Sequence, residues 1–189
     1  MFKRTFLLTA GVLLVTGCSS TNSSDDMDVK EETQSSVENS SDYHAKVEAL
    51  QEAMMEAGIK AEEMTDQYYS VWYDVIYEDE VQIGGNVAKD FDTALYYQYI
   101  EFSDDGSIEE LEELMASVET QISDLKSPPA EYQQTYDTQL EMYLSLKALS
   151  SLAIEPSGSL DSFTDDISRL VDEMLDANNK YTVQLPDSE

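Results

Sequence analysis

The feature that most restricts the fold is a run of apolar or small residues whose spacings alternate 4, 3, 4, 3 without interruption: Tyr43, Val47, Leu50, Met54, Ala57, Ala61, Met64, Tyr68, Val71 and Val75. Side chains repeat every two residues in a strand and every 3.6 in an α-helix, so this ladder keeps one helical face apolar over many turns and fits no strand. It predicts a single helix from an N-cap at Ser41 or Asp42 to about Asp79, roughly 55 Å long at 1.5 Å per residue. Gly58 is its weakest position by propensity. Between residues 68 and 77 only Ser70 and Asp74 are neither apolar nor aromatic. That half of the helix needs cover on several sides, which makes the helix central.

Four further ladders follow. The turn signal Gly84-Gly85-Asn86 precedes Val87, Phe91, Leu95, Tyr99 and Phe102, with Asp90 and Asp92 placed to suit the start of a helix dipole. Extending that stripe would turn Gly106 and Glu110 inward, so the phase resets at residues 103–107. Ser107 with Glu110 reads as a capping box that opens the stripe Ile108, Leu111, Met115, Val118, Ile122 and Leu125. Ser127-Pro128-Pro129 ends that helix and starts the next, marked by Tyr132, Tyr136, Leu140, Tyr143, Leu144, Leu149 and Leu152. After Pro156-Ser157-Gly158-Ser159 the ladder resumes at Leu160, Phe163, Ile167, Leu170, Met174, Ala177 and Tyr181. Short connections favour antiparallel neighbours. The expected fold is all-α: an up-and-down antiparallel bundle of about four helices over residues 42–183, the second broken near Gly106, with 184–189 as a short C-terminal tail.

Composition narrows the function. The chain has 40 Asp plus Glu against 10 Lys plus Arg, a net charge of -30. Neutralising phosphates takes clustered cations, so a nucleic-acid partner is excluded. With 41% hydrophobic residues the chain can nevertheless bury a core. One Cys and one His allow neither a disulfide framework nor a Cys/His zinc site within one chain. There is no nucleophile elbow, Ser/Lys motif or glycine-rich phosphate loop. A non-enzymatic role, with no resident cofactor beyond possible weak calcium, is the expectation.

Residues 1–17 have the make-up of an export leader, with Lys3 and Arg4 ahead of an apolar run from Phe6 to Val15 that is too short to span a bilayer. Leu14-Val15-Thr16-Gly17-Cys18 resembles the lipobox of bacterial lipoproteins. That resemblance implies cleavage before Cys18 and a lipid on its thiol, which would hold the mature chain on the outer face of the cell membrane. Residues 19–41 contain eight Ser and six acids with few apolar residues, so 18–41 reads as a lipidated cysteine followed by a flexible tether. The runs Leu125 to Tyr132 and Leu152 to Leu160, with the leader, are similar to a set of small lipoproteins of Gram-positive bacteria. This likeness implies a lipobox, an acidic tether and a helical domain of uncharacterised activity.

Two places could carry a site. Residues 101–112 resemble a degenerate EF-hand loop: Glu101, Ser103 and Asp105 at positions 1, 3 and 5, Gly106 at the turn, and Glu112 as the bidentate ligand. The competing reading is a C-cap followed by an N-cap between two helices. The other place is aromatic, with Tyr69, Trp72, Tyr73 and Tyr77 late in the first helix and Tyr96 early in the second. Such side chains line grooves for peptides or glycans, and equally serve as core residues with wet hydroxyls. The lone His44 is expected on the surface. Together these features indicate a membrane-anchored extracytoplasmic binding or interaction module whose partner is an extracellular protein, peptide or wall component. The alternative is a calcium- or solute-binding accessory protein working through 101–112.

Overall fold

A computed structural model of the chain describes residues 28–187, with side chains from residue 40 onward. The described residues are mostly helical: α1 (Asp28–Tyr77), α2 (Phe91–Asp104), α3 (Ser107–Asp124), α4 (Gln133–Ile154) and α5 (Leu160–Gln184). A short 3-10 turn, Ala130–Tyr132, leads into α4. The expected leader, Cys18, the tether as far as residue 27 and the tip of the C-terminal tail lie outside the described residues.

The 4-3 ladder becomes the seam of α1. Nine of its ten positions, Val47 through Val75, are buried, and Tyr43 is half-buried at the seam's start. The seam contacts every other helix, and its last turns also meet the small sheet. At the N-terminal end the expectation is corrected, because residues 28–41 are helix rather than flexible tether. Lengthening a helix that is already packed adds a hydrogen bond per residue without a new nucleus.

Between α1 and α2 the chain is not helical. Strands β1 (Val81–Ile83) and β2 (Asn86–Ala88) pair antiparallel, Val81 opposite Ala88 and Ile83 opposite Asn86. Gly84 and Gly85, at φ +53° and +84°, make the two-residue turn whose twist suits a hairpin. Strands of three residues are too short to show alternation, so the sequence betrays only the turn. Ile83 and Ala88 pack with Val71, Val75 and Ala94 in a small satellite core.

Helix α2 starts later and faces differently than its large apolar residues suggest. Asp90 is the N-cap, its carboxylate accepting the Thr93 amide at 2.9 Å. Ala94, Gln98 and Phe102 are buried, whereas Val87, Phe91 and Tyr99 are exposed and Leu95 is only half-buried. A small residue and a hydrogen-bonded amide fill the face turned to α1, with Gln98 donating to Gln67 at 3.4 Å. Helix α3 keeps its predicted stripe, with Leu111, Val118, Ile122 and the following Leu125 buried. In α5 the stripe also holds, and a reciprocal capping box opens the helix, the Ser162 amide donating to Ser159 Oγ and the Ser159 amide to Ser162 Oγ. Helix α4 buries a polar set that its apolar spacing does not announce: Thr135, Thr138, Gln139 and Ser150.

The break near Gly106 is where it was expected, with different chemistry. Helix α2 ends at Asp104, Gly106 takes φ +84°, and α3 begins at Ser107. The Ser107 side chain does not cap; instead Asp105 Oδ1 accepts the Ser107 amide at 2.8 Å, and the Gly106 carbonyl accepts from the Glu110 amide. A Cβ added at Gly106 would touch nothing within 4 Å, so its cost is backbone conformation alone. Gly106→Ala should therefore lower stability by about 1 kcal/mol in urea denaturation. Gly106→Asn, which tolerates the left-handed region better, should cost less than half of that; equal losses would mean that contacts rather than φ govern the site.

Candidate functional site

In an α-helix residues four apart share a face, so Tyr68 and Trp72 continue the buried seam while Tyr69, Tyr73 and Tyr77 run about 100° round from it. The structure separates the two sets accordingly. Trp72 is only 4% exposed, its ring parallel to Phe91 at 6.2 Å and tilted against Phe163 at 5.6 Å. Its placement in a ligand groove is thus corrected: it is a core residue. Tyr69, Tyr73 and Tyr77 form an exposed ladder, with ring centroids 5.9 and 4.4 Å apart and exposures of 39%, 41% and 63%. Tyr96 is also exposed but leans on Tyr97 of α2 and lines no groove with the ladder.

The tyrosine ladder borders a groove between α1 and α5. The tyrosine ladder forms one wall of a hollow of about 420 Å³, opposite Leu160, Asp161, Thr164 and Asp165. Through Tyr69 and Thr164 it continues into a second hollow of about 380 Å³ between Glu62 and Asp66 of α1 and Ile167, Ser168 and Asp172 of α5. The result is a furrow walled by aromatic rings and carboxylates. No Lys, Arg or His lines it, and the described ion pairs engage other acids, such as Glu110, Glu119 and Glu173. Sequence reasoning missed the α5 wall. Its signal was available as Asp161, Asp165, Ser168 and Asp172, a polar 4-3-4 stripe beside the apolar one.

The EF-hand-like residues are not gathered. Residues 101–104 are still α2 and 107–112 are already α3, leaving a two-residue break where a calcium loop needs twelve. The Glu101 carboxylate lies over the Gly84 turn. Ser103 and Glu112 are exposed on their separate helices, and Asp105 is engaged in capping α3. Lys60 pairs with Glu110 and donates to Ser107 Oγ, so an ammonium already sits beside the break. Among the described residues no group of three or more His, Cys, Asp or Glu is placed to hold a metal ion. None of the described helices is long and apolar enough to cross a membrane.

His44, expected at the surface, is instead buried, its Nδ1 3.0 Å from the Tyr132 hydroxyl. The neighbouring Tyr43 hydroxyl donates to the Leu125 carbonyl at 2.9 Å. Three tyrosines are held neutral well above their ordinary range. Burial raises Tyr43 to about 12, with Tyr136 and Tyr132 adding to the effect. Tyr181 also rises to about 12 through burial and then the nearby carboxylates Glu48 and Glu52. Burial pushes Tyr68 up further still, and its hydroxyl finds no hydrogen-bond partner among the described residues. Comparison with protein-family models, with curated proteins and with solved structures finds no match to this chain.

These tyrosines give the fold an alkaline limit. A neutral form favoured by folding contributes stability that is complete below the unfolded pKa, about 10. That stability is lost as pH rises toward the folded values near 12. The urea midpoint should hold between pH 7 and 9 and fall by pH 11. Tyr68→Phe, which deletes an unsatisfied buried hydroxyl, should stabilise the protein by about 1 kcal/mol at pH 7 and weaken the alkaline fall; destabilisation at pH 7 would show that the hydroxyl has a partner.

Proposed function

We propose that the protein is a lipid-anchored extracytoplasmic binding module of the bacterial cell surface. It is non-enzymatic and captures a peptide, protein or wall component in the furrow between α1 and α5. The observation that carries the binding role is the exposed ladder Tyr69, Tyr73 and Tyr77 above an open hollow. Monomeric surfaces seldom leave three adjoining aromatic rings in water unless something covers them. Anchoring rests on the sequence, where the leader and the only cysteine fall in lipobox register. The similarity to small lipoproteins of Gram-positive bacteria points the same way, and with two or three acyl chains such an anchor is stable.

We read the folded part as an up-and-down antiparallel bundle of four members: α1, the α2–α3 pair acting as one broken helix, α4 and α5. Supporting this are the short connections and the packing of α4 on α5 and of α1 on α2 and α3. In such a bundle the seam between first and last members is the one that no connection crosses, which leaves the α1–α5 furrow accessible.

The anchor and the face are tested separately. Expressed in a bacterium that lipidates exported proteins, the full chain should incorporate labelled palmitate and fractionate with membranes, and Cys18→Ala should lose the label and appear in the medium. An unlabelled, soluble wild-type chain would remove the anchor. For the face, Tyr73→Ala should lose a cell-surface partner that the wild type retains, with an unchanged urea midpoint; full retention by this variant would remove the furrow from the reading.

A further inference from the structure

The chemistry of the furrow narrows its occupant, on the reading that it is the binding face. Tyr69, Tyr73 and Tyr77 line the furrow with partly exposed rings, and the face of such a ring is negative at its centre and attracts cations. Carboxylates accompany the rings on both walls: Glu62 and Asp66 from α1, Asp161, Asp165 and Asp172 from α5. None of the five is paired with a cation among the described residues. Covering them with a neutral apolar partner would desolvate charges without compensation. An anionic partner would meet repulsion from the furrow and from a chain of net charge -30. A cation satisfies rings and carboxylates together.

Length then selects among cations. Along α1, the span from Glu62 to Tyr77 corresponds to roughly 22 Å at 1.5 Å per residue. This is about seven residues of extended peptide at roughly 3.3 Å each. Acids line both hollows along this length, Glu62, Asp66 and Asp172 in one and Asp161 and Asp165 in the other, where they stand opposite the tyrosine ladder. A compact cation would use only one end of such a site. The geometry points to an extended, Lys- or Arg-rich peptide segment of a partner protein as the occupant, its cationic side chains lying on the tyrosine ladder and pairing with the carboxylates of the two hollows.

Fluorescence anisotropy of a labelled heptapeptide alternating Lys or Arg with Gly, titrated with the full chain, tests this assignment. The comparisons are a heptapeptide with Gln in place of the cations, spermine, and a neutral oligomer of N-acetylglucosamine. The cationic peptide should bind, and added salt should weaken it. Tyr73→Ala should weaken binding about threefold and Tyr73→Phe, which keeps the ring face, less than twofold. Asp165→Asn should weaken it severalfold while Glu113→Gln, the same change of net charge on α3 outside the furrow, should not; equal effects would reduce the binding to general acidity and overturn the site. Equal affinity for the Gln peptide or tighter binding of the neutral oligomer, still lost in Tyr73→Ala, would overturn the cationic occupant and leave the furrow as a binding face. Spermine binding where the peptide fails would overturn the peptide. If no probe binds in a Tyr73-dependent way, the occupant and the binding role of the furrow fall together.

Discussion

Everything in this fold is hung on one constraint: α1 must hide a continuous apolar seam that it cannot cover itself. Nine buried positions in 4-3 spacing, from Val47 to Val75, define a stripe along which α2, α3, α4 and α5 all make contact. Small residues at Ala57 and Ala61, both fully buried, let neighbours approach closely in the middle. Larger ones at either end, such as Leu50 and Tyr68, fill wider spaces. Tyr68 packs edge-on against Phe102 at 5.2 Å, which ties the last residues of α2 to the seam. The helix break at Gly106 then matters because it lets α2 and α3 leave in different directions while both remain on α1. Without that left-handed residue one stripe would have to serve two phases.

A seam of hydrocarbon alone specifies register weakly, since a slide of one heptad replaces like with like. Here buried amides supply the missing specificity. Gln139 of α4 donates to the Val47 carbonyl at 2.8 Å, and Gln51 of α1 donates to Asn178 of α5 at 2.9 Å. At one end Thr138 donates to the Gln184 side chain at 2.7 Å and Thr135 to the Gln184 carbonyl. At the start of the seam His44 meets Tyr132. Each bond contributes about 1 kcal/mol when made and costs more when a slide leaves its groups buried and unpaired. Three helices are therefore locked to one alignment, and the furrow walls, which come from α1 and α5, inherit that alignment.

The legibility of this molecule in its sequence follows from how each feature is encoded. Long amphipathic ladders are redundant signals, so α1, α3 and α5 and their buried faces could be read residue by residue. Helix α2 could not, because its inward face is Ala94 and Gln98, while its large apolar residues Phe91 and Tyr99 point outward. The hairpin was hidden by its length, with only the glycine turn showing. Capping at residues 105–107 went to Asp105 rather than Ser107 because Gly106 set the geometry first. For the site, the tyrosine ladder was visible at i, i+4 and i+8, but Trp72 was grouped with it on type rather than phase; four residues from Tyr68, it belongs to the seam. Pairing across helices is a tertiary fact, and so the partner wall on α5 stayed out of view despite its own regular spacing.

The acids of the furrow carry the argument one step further. Elsewhere on this surface negative charge is partly answered, as where Lys147 reaches Glu119, Arg169 bridges Asp166 and Glu173, and Lys180 meets Glu141. Each of those pairs is exposed and worth little to stability. Lys46 and Lys60 of α1 and Lys89 beside the hairpin are likewise paired, with Asp42, Glu110 and Glu80. Among the described residues none of these cations pairs with the wall formed by Asp161, Asp165 and Asp172, although Arg169 stands on the same helix. Asp161 has a structural use at the first turn of α5, where a carboxylate suits the helix dipole. Asp165 and Asp172, further along, have no such use and stand without a cation partner among the described residues. A cation supplied from outside would pair with them without displacing an internal partner, so no existing ion pair has to be broken when it binds.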